Sequence, residues 1–472
     1  LKLLGIHSDK DIKKAYIQGD FTIIDGDSKT YPSDLKVKRD HILELIKTDG
    51  YAYTIEQFAY TWFNRLIALR FMEVHDYISH GFKVFPKGNG SIEPEILGKL
   101  TFVEKELNLD IELCRQLKEK AQIEELYRYV LFQQCNALSG VLPMLFSKEY
   151  AYLELMLPSA LLKGTTVITE LIKIDESNFL DDIEVIGWLY QFYVSSDREE
   201  FRKAKVVNKD LIPTLTQIFT PDWIVRYMTE NSLGRLWLES YPDSTVKKEF
   251  KYYVEDAEQT EEVKKQIESI RYKNVDPKDI KVIEPCSGSG HILVYAFDVL
   301  MLMYEEKGYS KNDIPKLILD NNLFGLDVDK RASQLASFSL IMKARSIDSR
   351  FFQTSRISYP KVFEIKDSKM LISMDYKKKL LDLNNNDWKK DEHLSDDEIK
   401  LVDYVIETFV DGKVIGSLLK VKRDNYVPLI SKMNHLHKVT IRGIFNGEFV
   451  EYGLKRIVQL LRLADIMSRK YD

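Results

Sequence analysis

Two short stretches hold residues whose types and spacing could do chemistry: Glu284-Pro285-Cys286-Ser287-Gly288-Ser289-Gly290 and Phe324-Gly325-Leu326-Asp327-Val328-Asp329. In the first, a carboxylate closes the β-branched run Val282-Ile283, and small residues follow at once. Glycines at 288 and 290 let backbone approach a ligand where any Cβ would collide. In the second, a carboxylate again closes an apolar run. Glu284 and Asp327 could accept hydrogen bonds from an amine and from ribose hydroxyls. The same residues also suit a tight turn with two solvated carboxylates, and Gly-x-Gly alone does not decide between these.

The elements that must position these residues are legible around them. A helical pattern resumes at His291 and runs through Leu293, Val294, Phe297, Leu300, Met301 and Met303. Strand, glycine turn, helix and strand make a βαβ unit, whose ligands gather at the carboxyl ends of the parallel strands. The helix start would aim free N–H groups and its positive dipole end at an anionic group. A dinucleotide fingerprint wants a third glycine where Leu293 stands, and an acidic residue about 20 residues on. Here the spacing is 327 − 290 = 37 residues. No Gly-Lys-Ser or Gly-Lys-Thr marks a P-loop. The turn is therefore expected to hold something other than a pyrophosphate, and a methionine carboxylate and amine suit it better.

Glu284 to Leu293 resembles the first motif of adenine-specific DNA methyltransferases, usually Asp-Pro-Ala-Cys-Gly-Ser-Gly, and Phe324 to Asp329 resembles their second. The resemblance is strongest to the long PglX-type enzymes of bacterial phage-exclusion (BREX) systems. It includes His291-Ile292-Leu293-Val294-Tyr295-Ala296-Phe297, Leu326 to Ala332, and Thr61 to Val74. Departures are Glu for Asp and Cys-Ser for Ala-Cys, which keep charge and small size. Phe219-Thr220-Pro221 resembles the segment that closes over the methionine end of S-adenosylmethionine. Read alone, it is a helix start with Thr220 as N-cap and Pro221 at the first helical position. Gly187-Trp188-Leu189-Tyr190 also resembles these enzymes, though a buried aromatic cluster explains it equally well.

The resemblance implies S-adenosyl-L-methionine as cofactor, with Gly288 and Gly290 passing close to the methionine moiety and Cys286 in the same turn. Glu284 would hold the amine, Thr220 and Pro221 would cover the carboxylate, Asp327 would bind the ribose, and Val328 would lie against the adenine ring. It implies double-stranded DNA as partner, with other phage-defence proteins as further candidates. The family positions its target amine with an Asn-Pro-Pro-Tyr or Asp-Pro-Pro-Tyr loop, because the base must leave the duplex stack. This chain has 13 prolines and no two are adjacent. The expectation is an amino-terminal portion holding the cofactor half-site, with no catalytic residue assigned and the rest beyond Asp472. The alternatives are a methyltransferase with an RNA or protein substrate, or a DNA- or partner-binding scaffold with a vestigial pocket.

The expected fold class is α/β: a helical domain over 1–205, then part of a Rossmann-like class I methyltransferase domain over 206–472. A length of 472 residues allows two or three cores. With 44% hydrophobic and 30% charged residues, a soluble, cytoplasmic protein is expected, and no membrane contact. The net charge of −5 argues mildly against a nucleic-acid wrapper, while leaving room for a basic cleft. Three scattered cysteines support neither a disulfide framework nor a zinc site. A buried helix is expected from Ile55 to Val74, with Arg65 and Arg70 paired inside the bundle or facing solvent. Residues 247–272 suggest a solvated helix, Arg331 to Met342 a crossover helix, and Val362 to Ile365 a strand. Ser395 should cap a helix, and Val414 to Leu419 reads as a short strand, its end facing the cofactor. His435 and His437 read as strand or loop neighbours without a third metal ligand, and a last helix runs from Val450 to about Arg469.

Overall fold

The computed structural model describes every residue except 28, 88–92, 182, 202–219, 385–392, 443–452 and 470–472. The expected boundary at 205/206 lies outside the described residues. So do Phe219 and the last three residues. The chain divides into two compact units, Leu1–Ile186 and Gly187–Asp472.

The first unit opens with an antiparallel sheet of β1 (Ala15–Gln18), β2 (Phe21–Ile24) and β3 (Thr30–Pro32), in that order. This sheet has little signature in the sequence. Tyr16, Ile17 and Phe21 are exposed, and the alternate buried positions of β2 are Thr22 and Ile24, so apolar residues do not follow the two-residue rhythm that marks a strand. Helices α1 (Asp34–Asp49) and α2 (Tyr51–Val74) follow, separated by Gly50 at φ +87°. No Gly or Pro interrupts α2, and Phe58, Trp62, Leu66, Leu69 and Met72 are buried along it. Its two arginines are buried as well. Arg65 donates to the carbonyls of Leu145 (2.9 Å) and Ser147 (3.2 Å), with its guanidinium 5.6 Å from the Trp62 ring centre. Arg70 pairs with Glu73 at 2.7 Å and Glu176 at 2.9 Å. Both arginines thus serve the bundle.

The second unit takes in α3 (Glu184–Phe201) from Gly187 onward, then α4 (Asp222–Thr229). Pro221, not Thr220, is the residue at the N-cap of α4. Its ψ of 142° leaves it extended, and its carbonyl accepts the Ile224 and Val225 N–H groups at 2.9 and 3.1 Å. Proline's fixed φ fits either position, so ψ makes the difference. Within the charged stretch 247–272 the helix is confined to Glu261–Ile270, with no buried residue on it.

β4 (Val282–Glu284), α5 (His291–Glu306), α6 (Ile314–Asn321), β5 (Leu323–Asp327), α7 (Lys330–Ile347) and β6 (Lys361–Glu364) come next. The strands form one parallel sheet in the order β4-β5-β6, with Val282 opposite Leu323 and Asp327 opposite Glu364. α5 buries Leu293, Phe297 and Leu300, and α7 buries Leu335, Phe338 and Ile341. The unit is mixed helix and sheet, as the α/β expectation requires.

Two readings of the last hundred residues are corrected. Val414 to Leu419 is no strand: Gly412–Ile415 is a helical turn and Gly416–Leu418 a tighter one. The Asp411 carbonyl takes the Val414 and Ile415 N–H groups at 3.0 Å, Gly416 turns at φ +59°, and Val414, Ile415 and Leu418 stay exposed. His435 and His437 lie on a helix. After α8 (Asp396–Thr408), capped by Ser395, α9 (Tyr426–Arg442) buries Tyr426, Leu429, Met433 and Leu436 at three- and four-residue spacing. α10 (Leu454–Ser468) closes an apolar cluster that also takes Leu326 and Ile365. Among the described residues, no helix is long and apolar enough to cross a membrane.

The buried pair on α2 gives a stability test. Burial raises the Glu73 carboxyl, against the opposing pull of the Phe85 N–H and Arg70. Arg70→Met leaves that carboxylate without its buried cation and should cost about 3 kcal/mol, read as a lower urea midpoint.

Candidate functional site

The carboxyl ends of β4 and β5 lie side by side, because Glu284 pairs in register with Gly325. Chain leaving β4 turns back at once: Ser287 N–H donates to the Leu326 carbonyl at 2.8 Å, and Gly290 N–H to the Ser287 carbonyl at 2.8 Å. The turn is held by a side chain from the neighbouring strand. Asp327 accepts the Gly288 N–H at 2.8 Å through Oδ2 and the Asp329 N–H at 2.8 Å through Oδ1. Glu284 accepts the Cys286 N–H at 3.1 Å. Each carboxylate keeps lone pairs for a further donor.

The two glycines are constrained differently. At Gly290 (φ +97°) a Cβ would meet the Ala336 Cα and Cβ at 2.9 Å, so close packing of the turn on α7 excludes a side chain. At Gly288 (φ +51°) a Cβ would meet nothing within 4 Å. Open space therefore lies in front of Gly288, beside Asp327. The Ser287 hydroxyl, in a residue only 7% exposed, has no hydrogen-bond partner among the described residues.

Electrostatics follow from crowding. Asp327 is pushed up to about 6, chiefly by burial, with the Asp329 and Glu284 carboxylates adding to the shift. Glu284 is raised by burial too, partly offset by the Cys286 N–H. Two carboxylates held this way form a site for positive charge and for hydroxyl or amine donors.

Glu284, Cys286, Gly288, Gly290, Asp327 and Val328 are brought together. Thr220 and Pro221 lead into α4, which packs on α5, where the Arg226 guanidinium lies 4.7 Å from the Tyr295 ring centre. Two further stretches noted in the sequence, but given no site residue there, also reach the turn. At Gly416 an added Cβ would meet Val328 Cγ1 at 3.4 Å, and Ser417 Oγ is 3.8 Å from Cys286 Sγ. α3 supplies Gly187, where a Cβ would meet Ser289 Oγ at 2.7 Å, and Tyr190, whose hydroxyl donates to Asp329 at 2.6 Å. Gly187 and Tyr190 are three apart, the spacing of one helical face. That signal was present in Gly187-Trp188-Leu189-Tyr190.

Comparison with known proteins adds the following. No family model matches the chain. Adenine-specific methyltransferase BrxX of Escherichia coli O9:H4 (strain HS) is 35% identical over 457 residues, which is 94% of this chain and 37% of that protein. Adenine-specific methyltransferase PglX of Lacticaseibacillus casei (strain Zhang) is 36% identical over 340 residues, 67% of this chain and 28% of that protein. This chain is a homologue of the PglX-type adenine-specific methyltransferases. The match covers about a third of the length of each relative, 37% of the first and 28% of the second.

Two outcomes test the geometry. Gly290→Ala should cost about 2–4 kcal/mol because the turn must leave α7, whereas Gly288→Ala should cost only about 1 kcal/mol of backbone strain. Thermal melts of the two variants check the contrast. For Asp327, the folded carboxyl keeps a proton between about pH 4, where the unfolded one releases it, and about 6. Its contribution to stability therefore falls as pH rises through that window, by roughly 3 kcal/mol in all. Asp327→Asn should gain on wild type between pH 4 and 6 and hold a constant difference above about 7. A difference already constant across the window would contradict the buried state of this carboxyl.

Proposed function

We propose that this chain holds the S-adenosylmethionine-binding half of an adenine-specific DNA methyltransferase of the PglX type, acting in phage defence. The carrying observation is the crevice at the carboxyl ends of β4 and β5. There Glu284 and Asp327 flank a glycine turn whose side-chain space at Gly288 is empty. In this reading 206–472 is part of a Rossmann-like class I domain, and 1–205 is a separate, mainly helical one. Its position in the cell is the cytoplasm, where its DNA is.

The residues present fit the cofactor. Open space at Gly288 admits a group against bare backbone, and the orphaned Ser287 hydroxyl has capacity for one more bond. Glu284 would take the amine, and Asp327 would accept the ribose hydroxyls through its remaining lone pairs. Val328 would lie on the adenine ring, with Cys286 and Gly290 completing the turn and Thr220 and Pro221 covering the carboxylate. When bound, S-adenosylmethionine supplies an electrophilic methyl group on a sulfonium. Its amine and sulfonium are both cationic, so binding would relieve the repulsion that Glu284 and Asp327 exert on each other. The residues also position the ligand, so that little of its freedom is left to be lost at the transition state. A loop with adjacent prolines, which the family uses to hold adenine, is not among these 472 residues.

Calorimetry with S-adenosylmethionine tests the reading. Wild type should bind, and Asp327→Ala should lose about tenfold or more, as expected for a hydrogen bond to a charged group. Gly288→Ala should lose binding while staying folded. Affinity should fall as pH drops through about 6, because the acceptor is the ionised Asp327. No heat in wild type would favour a scaffold with a vestigial pocket. The purified chain alone should transfer no methyl groups to DNA, checked with tritiated cofactor.

A further inference from the structure

We propose that Tyr190 is a positioning residue for this site: its hydroxyl holds Asp329, and Asp329 in turn holds the Asp327 carboxylate that frames the glycine turn. The inference rests on the cofactor reading above and goes beyond it, to a helix remote in sequence from both motifs.

One face of α3 touches both halves of the crevice. Gly187 lies so close to the turn that a Cβ would meet Ser289 Oγ at 2.7 Å and His291 Cε1 at 3.0 Å. Three residues on, Tyr190, only 4% exposed, donates to Asp329 Oδ2 at 2.6 Å. Asp329 is the N-cap of α7, and Arg331 donates to both its oxygens at 2.9 to 3.1 Å. The Asp329 N–H then donates to Asp327 Oδ1 at 2.8 Å. Arg331 already balances the Asp329 charge, and phenylalanine would fill the same space as tyrosine. What the hydroxyl adds is direction: it fixes the loop after β5 against α3, and with it the orientation of Asp327. Charged groups near Asp327 are Glu284 on β4, Asp329 and Arg331 on its own loop, and its register partner Glu364 on β6. Glu364 sits beside Lys366 and Lys413, with Lys330 and Arg456 in reach.

The test compares wild type, Tyr190→Phe and a control, Tyr304→Phe, whose buried hydroxyl bonds Asn322 just before the other end of β5. S-adenosylmethionine affinity is measured by calorimetry from pH 5 to 8.5, with thermal melts alongside. Tyr190→Phe should bind about three- to tenfold more weakly, the scale of one hydrogen bond to a charged group acting at one remove. Its acid limb should move to higher pH, because Asp329 loses a donor and bears harder on Asp327. The control should match wild type in both. Wild-type affinity and pH profile in Tyr190→Phe, or equal weakening in both variants, overturns the proposal. If wild type takes up no cofactor, the cofactor reading falls, and the pH dependence of unfolding decides the coupling. The window between about 4 and 6 that disappears in Asp327→Asn must then move upward in Tyr190→Phe; an unmoved window overturns it.

Discussion

A single buried carboxylate organises the second unit. Asp327 ends β5 and accepts N–H groups from two different segments, Gly288 in the turn after β4 and Asp329 at the entry to α7. Without it, two helix entries would have to find their relative position through apolar packing alone, which is non-directional. Hydrogen bonds to a charged acceptor are stronger than neutral ones and fix direction as well as distance. The glycine turn, the start of α5 and the start of α7 are thus referred to one atom group.

That arrangement carries a cost visible in the carboxyl itself. Burial and the nearby Glu284 and Asp329 carboxylates push Asp327 up to about 6, the mark of a group held against its preference. In the first unit burial raises Glu73 as well, but there an arginine lies against the carboxylate. Glu73 has Arg70 at 2.7 Å and two backbone donors, and Arg65 has two carbonyls and an aromatic face. At the crevice Asp327 has two backbone N–H donors and two neighbouring carboxylates, while Arg331 pairs with Asp329. Perturbed carboxyls in a cleft are a physical signature of a binding site.

The α3 contacts extend the site beyond its two motifs. A glycine that must be bare for Ser289 and His291, and a tyrosine hydroxyl on Asp329, bring a third segment against the crevice. The turn at Gly416, beside Val328 and Cys286, brings a fourth. The ring of segments around the crevice comes from four places across some 230 residues of chain, from Gly187 to Ser417.

Much of this was legible beforehand where periodicity and turn chemistry are local. The α2 helix, the β4–turn–α5–β5 unit, the Ser395 capping box and the β6 strand were all readable, because each is a property of adjacent residues. What failed did so for physical reasons. The β1–β3 strands are short, and β2 buries Thr22 while exposing Phe21, so no apolar alternation marks them. Val414 to Leu419 has strand-like composition, but Gly416 at φ +59° and the Asp411 carbonyl turn it into helix. His435 and His437 looked like an alternating pair until the apolar spacing of α9 placed them. The sequence by itself determined which residues could face a ligand: small ones in a turn and acids at strand ends, since backbone approach and hydrogen bonding need those types. Only the tertiary structure decided which glycine is closed by packing and which opens on space, and that Asp327 spans two loops. Those facts depend on Ala336, Tyr190 and Asp329, whose distance from Gly288 is set by the folding of remote segments and not by spacing along the chain.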